Sequence, residues 1–148
     1  MTYDLTKAIQ IAQKGHEGQR SMYDDRKSFY DEHPFKVMRM VRKSAPYHHK
    51  IRYEMVAILH DVIEDTKWTI EALRELGIPE DILTAVDLLT HKEGVTYSDY
   101  IFPIKENELA RRVKIADMLS NMTFFYMYNR EYKMNKYING LVYLMNGR

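Results

Sequence analysis

A chain of 148 residues, 45% hydrophobic and 29% charged, is long enough for one folded domain with a substantial core. Its 22 basic and 21 acidic side chains leave a net charge of +1, which argues against a nucleic-acid or anionic-membrane partner. Cysteine is absent, so disulfides, thiolate metal sites and a cysteine nucleophile are excluded, and any metal must rest on His, Asp or Glu.

Apolar residues recur at helical spacing along most of the chain, and no Asn-Gly hairpin signal separates alternating runs, so an all-α single domain over residues 1–148 is expected. The first helix is predicted from Asp4 to Gly18, with Leu5, Ala8, Ile9 and Ala12 on one face. Residues 18–32 are polar, aromatic and unpatterned and read as a long loop, a type that is usually functional or mobile. His33-Pro34 opens the next helix, since proline suits a first turn whose N–H groups lack partners anyway; Ala45-Pro46 ends it. A helix from Lys50 to Val62 follows. Thr69 then caps Ile70 to Leu76, which Gly77 closes, and Pro79 leads into Glu80 to His91. A turn at Lys92-Glu93-Gly94 precedes a short helix, Ser98 to Lys105. Asn107 caps a long helix, Glu108 to Tyr128, whose Phe124–Tyr128 end reads as core or an interface. The last helix is Tyr132 to Met145, ending at Asn146-Gly147.

The densest chemistry is in His60 to Thr66, HDVIEDT, directly after the apolar run Met55 to Leu59. One imidazole and three carboxylates at the end of a core helix need partners, because burying unpaired polar groups costs roughly 2–7 kcal/mol each, and charges more. A bound metal satisfies that need. Neighbours such as His60 and Asp61 diverge by about 100° on a helix, so further ligands must come from elsewhere. His33 at its Pro junction and Asp117 among apolar neighbours are the candidates, and Asn121 lies one turn beyond Asp117. Two His and two Asp suit Mn, Fe, Ni or Zn with open positions for water. Glu64 and Asp65, one turn beyond, are placed for a base or water-orienting role. His16 reads as a surface or core histidine, with a supporting place behind the metal ligands as the alternative, and His48-His49 as a solvent-exposed pair.

The segments EHPFKV, ILHDVIEDT and VKIADMLSN together resemble the HD-domain metal phosphohydrolases, closest to the alarmone hydrolases of the RelA/SpoT type and their small stand-alone forms. The likeness runs from about Ile9 to Leu144. It implies an HD-type helical bundle in which His33, His60, Asp61 and Asp117 bind Mn²⁺, Glu64 and Asp65 act on the attacking water, and Asn121 contacts a nucleotide. It implies a guanosine 3′,5′-bis(diphosphate) 3′-pyrophosphohydrolase acting on a small-molecule nucleotide. Tyr137 matches an aromatic position that stacks the base. Lys114, Arg20 and Lys27 are the candidate phosphate-neutralising cations. The family's basic pair before the His-Pro helix is replaced here by Arg20, Arg26 and Lys27 set among Asp24, Asp25 and Asp31. Hydrolysis of another nucleotide or phosphoester therefore stays open, as does a nucleotide-binding regulator with little turnover. No apolar run reaches the roughly 18 residues of a spanning helix and MTYDLTK does not read as a signal peptide, so a cytoplasmic protein is expected; homo-oligomerisation is left open.

Overall fold

The computed structural model describes residues 2–146, and its regular elements are helices. Ten α-helices follow in order: α1 Leu5–Gly15, α2 Phe29–Glu32, α3 Pro34–Ser44, α4 Lys50–Leu59, α5 Val62–Asp65, α6 Ile70–Glu75, α7 Glu80–Leu89, α8 Tyr97–Glu106, α9 Glu108–Met127 and α10 Met134–Met145. Short 3₁₀ turns at Tyr47–His49 and Glu131–Lys133 lead into α4 and α10. A single isolated bridge, Arg20 with Ser28, is the only β-type pairing among the described residues.

The sequence explains most starts and stops. Asp4, Ser28, Thr69, Thr96 and Asn107 each cap a helix by accepting from the backbone N–H three residues on, which satisfies one of the orphan donors there. Gly77, at φ +86°, takes the left-handed conformation that closes α6, so that Ile78 N–H reaches Leu73 O at 3.1 Å. α4 is the central element. Tyr53 through Leu59 are all buried, and Glu54 among them is paired with Arg42 at 3.2 Å. A helix apolar on every side belongs in the middle of a bundle. α3 and α1 pack on α4; α9 lies across α3, α4 and α7; α8 and α10 cover α9. Truncating a fully buried α4 side chain such as Ile58 to alanine costs about 2–5 kcal/mol.

Several expected boundaries move, each for a physical reason. α1 stops at Gly15: His16 is its C-cap at φ −89° and ψ 6°, and Gly18, at φ +79°, turns the chain away. Residues 18–32 are not wholly irregular: Ser28 caps the one-turn α2. α4 ends at Leu59 instead of Val62, and a separate single turn, α5, holds Val62–Asp65. α7 ends at Leu89, and α8 begins at Tyr97 behind the Thr96 cap. The final α-helix starts at Met134 after a 3₁₀ turn. Gly147, proposed as part of the chain's last stop signal, lies outside the described residues, as do Met1 and Arg148. Phe124 and Phe125 are core, whereas Tyr126 and Met127 are exposed. No helix among the described residues is long and apolar enough to cross a membrane.

Candidate metal centre

The break between α4 and α5 creates the site. Asp61, at φ −102° and ψ −1°, loosens the chain between the two helices, while His60, at φ −60° and ψ −28°, stays helical. There the two adjacent side chains meet, His60 Nε2 3.2 Å from Asp61 Oδ2, although neighbours on a helix diverge by about 100°. His33, at the junction of α2 and α3, enters from one side, and Asp117, on the inner face of α9, from another.

The four side chains converge. His33 Nε2 lies 3.1 Å from His60 Nε2, 2.8 Å from Asp117 Oδ1 and 3.4 Å from Asp61 Oδ2. His60 Nε2 lies 3.2 Å from Asp61 Oδ2 and 3.5 Å from Asp117 Oδ1. Ligand atoms held about 2.1 Å from one cation stand roughly 3.0–3.4 Å apart, octahedral to tetrahedral, so these spacings are those of a metal's coordination edge. His33, His60 and Asp117 each offer an atom within 4.8 Å of the others.

The tautomers make the same point. His60 Nδ1 is 2.6 Å from Ala57 O and must donate to it, so Nε2 is the nitrogen turned to the cluster, where a cation would take the place of its proton. His33 Nδ1 faces Ser120 Oγ at 3.4 Å, on the far side of its ring from the cluster. Two imidazole edges and two carboxylates thus share one buried spot that requires positive charge. Burial alone would lower the basicity of His60, but Asp61 and Asp117 more than offset it and hold its pKa well above the usual value. Burial would raise the Asp117 pKa; Lys114, then His33 and His60, bring it well below the carboxylate range instead. Lys114 Nζ sits 2.7 Å from Asp117 Oδ2, and Asn121 Nδ2 is 3.3 Å from Asp117 Oδ1. A divalent cation fits this donor set.

The cluster opens into a cavity of about 630 Å³. Glu64, Asp65, Lys114, Asn121 and Tyr137 all line it. Glu64 accepts from the backbone N–H of His91, and burial raises its pKa. The Asp65 carboxylate makes no hydrogen bond among the described residues; burial, then Asp61 and Glu64, push its pKa up to about 6. Tyr137 packs edge-on against Phe125, ring centroids 5.0 Å apart.

Arg20 and Lys27 are not brought to this cavity. Arg20 is exposed beside its bridge to Ser28, and Lys27 is exposed and pairs with Glu32 at 3.6 Å. Besides Lys114, the lysines at the cavity are Lys133 and Lys136, which were not among the expected site residues. Their spacing puts both on one face of the chain entering α10, next to Tyr137. Tyr23, Tyr97, Tyr100 and His91 also line it without having been singled out, and Tyr23 stacks on Phe124 at 5.2 Å. No local motif marks them: Tyr97 and Tyr100 come from α8, His91 from the turn before it, and Tyr23 from the segment between α1 and α2.

Comparison with known proteins agrees with this geometry. The HD domain family matches residues 30–122. That family binds divalent metals, which the cluster of His33, His60 and Asp117 suits. No curated protein matches the sequence. Among solved structures, the chain superposes on a metazoan ortholog of SpoT, described as hydrolysing ppGpp and playing a role in starvation responses, with a TM-score of 0.75. The two are 21% identical, and the alignment covers 99% of this chain and 89% of the other. At that identity the likeness speaks for the fold.

Proposed function

We propose that this chain, which belongs to the HD domain family, is a metal-dependent phosphohydrolase that removes pyrophosphate from the 3′ position of guanosine 3′,5′-bis(diphosphate). The observation that carries the reading is the convergence of His33, His60 and Asp117, with Asp61 Oδ2 3.2–3.4 Å from both imidazoles, beside a cavity that also holds Glu64, Asp65, lysines and aromatic rings. His33, His60, Asp61 and Asp117 are the proposed ligands, and Mn²⁺ the proposed ion, a choice that a mixed N/O donor set suits. When bound, a divalent cation supplies positive charge that polarises a phosphoryl oxygen and eases the loss of a proton from water.

The protein's own groups supply the rest. Asp65, with a pKa near 6, is mostly ionised at neutral pH yet basic enough to accept a proton from the attacking water. Glu64 is fixed by the His91 N–H and orients that water. Lys114 neutralises Asp117 and keeps it in place, while Asn121 reaches from the same carboxylate toward the cavity. Lys133 and Lys136 face the phosphates, where charge and positioning carry most of phosphoryl transfer. Tyr137 and the Tyr23–Phe124 pair offer flat apolar faces to a base. A cavity of this size takes a small molecule, in keeping with a nucleotide substrate and no nucleic-acid partner. The reading treats the chain as one HD-type domain and its setting as cytoplasmic.

One observation favours a second reading, hydrolysis of another nucleotide or phosphoester: the basic side chains of the 18–32 segment lie off the cavity. The test is a panel of nucleotides incubated with the Mn²⁺-loaded protein. Pyrophosphate release from the guanosine bis(diphosphate) with formation of GDP is expected. Turnover of other members of the panel alone selects the second reading. Tight binding with no product from any of them would instead make the protein a regulator.

A further inference from the structure

α5 is a single turn, closed by Asp65 N–H to Asp61 O at 3.0 Å and by Thr66 Oγ1 to Val62 O at 2.6 Å, before Thr66 leaves it in an extended conformation. So short a helix does not fix its own last residue. The Asp65 carboxylate has no hydrogen-bond partner to orient it either, and the carbonyl of Asp65 is an end-of-helix acceptor in need of a donor.

That donor is Gln19 Nε2, 2.7 Å away and 46 residues distant in sequence. With its nitrogen committed to Asp65, the Gln19 side chain presents Oε1 to His16 Nδ1 at 2.8 Å. Flipping the amide would set oxygen against oxygen, so Oε1 accepts and His16 carries its proton on Nδ1. His16 is rooted in the core. It is 1% exposed, caps α1 through its N–H to Ala12 O at 2.9 Å, and lies against Phe29 with ring centroids 5.0 Å apart. The backbone of Gln19 is pinned as well, its N–H to His16 O and its carbonyl to Phe29 N–H, both at 3.0 Å. His16 Nε2 has no partner, which suits a neutral ring carrying one proton, and burial lowers its pKa.

We propose that His16 and Gln19 form a relay from the core to the Asp65 carbonyl that sets the α5 turn, making both of them positioning residues for the Asp65 carboxylate. The proposal rests on the reading of Asp65 as the base. Neither residue lies within the matched family segment, residues 30–122.

The experiment uses the full chain with Mn²⁺ and four variants: Gln19→Ala, Gln19→Glu, His16→Phe and His16→Asn. Gln19→Ala is expected to lower kcat about 10- to 100-fold, the cost of a misplaced reacting group, while KM and Mn²⁺ affinity stay within about twofold of the parent. Gln19→Glu keeps an acceptor for His16 but loses the donor to Asp65, and is expected to be as slow. His16→Phe keeps the ring and loses the N–H; His16→Asn, whose amide nitrogen sits where Nδ1 was, is expected to recover most of that loss. Combined with Asp65→Asn, Gln19→Ala adds no further loss if it acts through Asp65. Multiplicative losses in that double variant, or a kcat for Gln19→Ala within twofold of the parent, overturn the proposal. Backbone hydrogen exchange over residues 61–66 reads the relay without turnover. It is expected to quicken at least tenfold in Gln19→Ala, and unchanged exchange rejects the relay. A parent protein that turns over no nucleotide removes the hydrolase reading and leaves the exchange result to decide the relay by itself.

Discussion

Replacing Asp117 with alanine tests the site and the fold together. Asp117 is 5% exposed and touches four groups: Lys114 at 2.7 Å, His33 at 2.8 Å, Asn121 at 3.3 Å and His60 at 3.5 Å. Its loss leaves the Lys114 ammonium, whose side chain is 12% exposed, without its counter-charge. Breaking a buried ion pair by removing one partner costs about 3–5 kcal/mol. For a chain of this length each kcal/mol moves Tm by about 3 °C, so the metal-free variant should melt roughly 9–15 °C below the parent. A ligand at 100 times its Kd stabilises by about 2.7 kcal/mol, so saturating Mn²⁺ should raise the parent's Tm by roughly 8 °C. The variant, stripped of one of its two carboxylates, should show almost none of that rise. Calorimetry with and without Mn²⁺ reads both effects in one series. A variant that melts within about 3 °C of the parent, or that keeps the full Mn²⁺-induced rise, would show that Asp117 neither balances Lys114 nor holds the ion.

Other outcomes follow from the same geometry. Glu64→Ala should keep Mn²⁺ and lose rate; activity equal to the parent's would take Glu64 out of the mechanism. With Asp65 as the base, kcat/KM at saturating Mn²⁺ should fall about tenfold per pH unit below the Asp65 pKa, which the cation draws down from its metal-free value of about 6, and Asp65→Asn should flatten that limb as well as lowering its plateau. The same raised pKa has a stability consequence. An acid whose folded pKa lies above its unfolded value binds its proton more tightly when folded, so stability is lost as pH rises from about 4 to about 6. Metal-free Asp65→Asn should therefore melt above the parent at pH 7, the gap closing toward pH 4; a gap independent of pH contradicts the assignment. Gly140→Ala would place a methyl 2.7 Å from Met118 Cε and 3.0 Å from the Tyr97 hydroxyl. Because Met118 Cε is the end of a flexible side chain and alanine suits a helix better than glycine, stability should change by less than about 1 kcal/mol, while KM rises, since Tyr97 lines the cavity; an unchanged KM separates α10 packing from the site.

Local chemistry made much of this readable from residue types alone. His33-Pro34 marks a helix start by a rule that needs no tertiary information, and the density of His60, Asp61, Glu64 and Asp65 after an apolar run demands partners whatever the fold. Asp117 stood out because a carboxylate among Val113, Ala116 and Met118 has to be satisfied. What escaped depends on how helices meet. The turn that separates α4 from α5 has no glycine or proline to announce it; it is held by His60 reaching back to Ala57 O and by Thr66 Oγ1 bonding Val62 O at 2.6 Å. Lys133 and Lys136 matter only because α10 folds back along α9, whereas Arg20 and Lys27 look suitable by charge but turn to solvent and to Glu32. His16 read as a surface or core histidine. Its place beside Gln19 and the Asp65 carbonyl comes from α1 packing on α4, which no short window of sequence shows.

The most direct test is anomalous diffraction at the manganese edge from crystals grown with Mn²⁺. One peak is expected per chain, at bonding distance from His33 Nε2, His60 Nε2 and carboxylate oxygens of both Asp61 and Asp117, and absent from Asp61→Ala crystals. A peak elsewhere, or none at saturating Mn²⁺ with the four side chains still gathered as they are here, would contradict a metal-centred hydrolase.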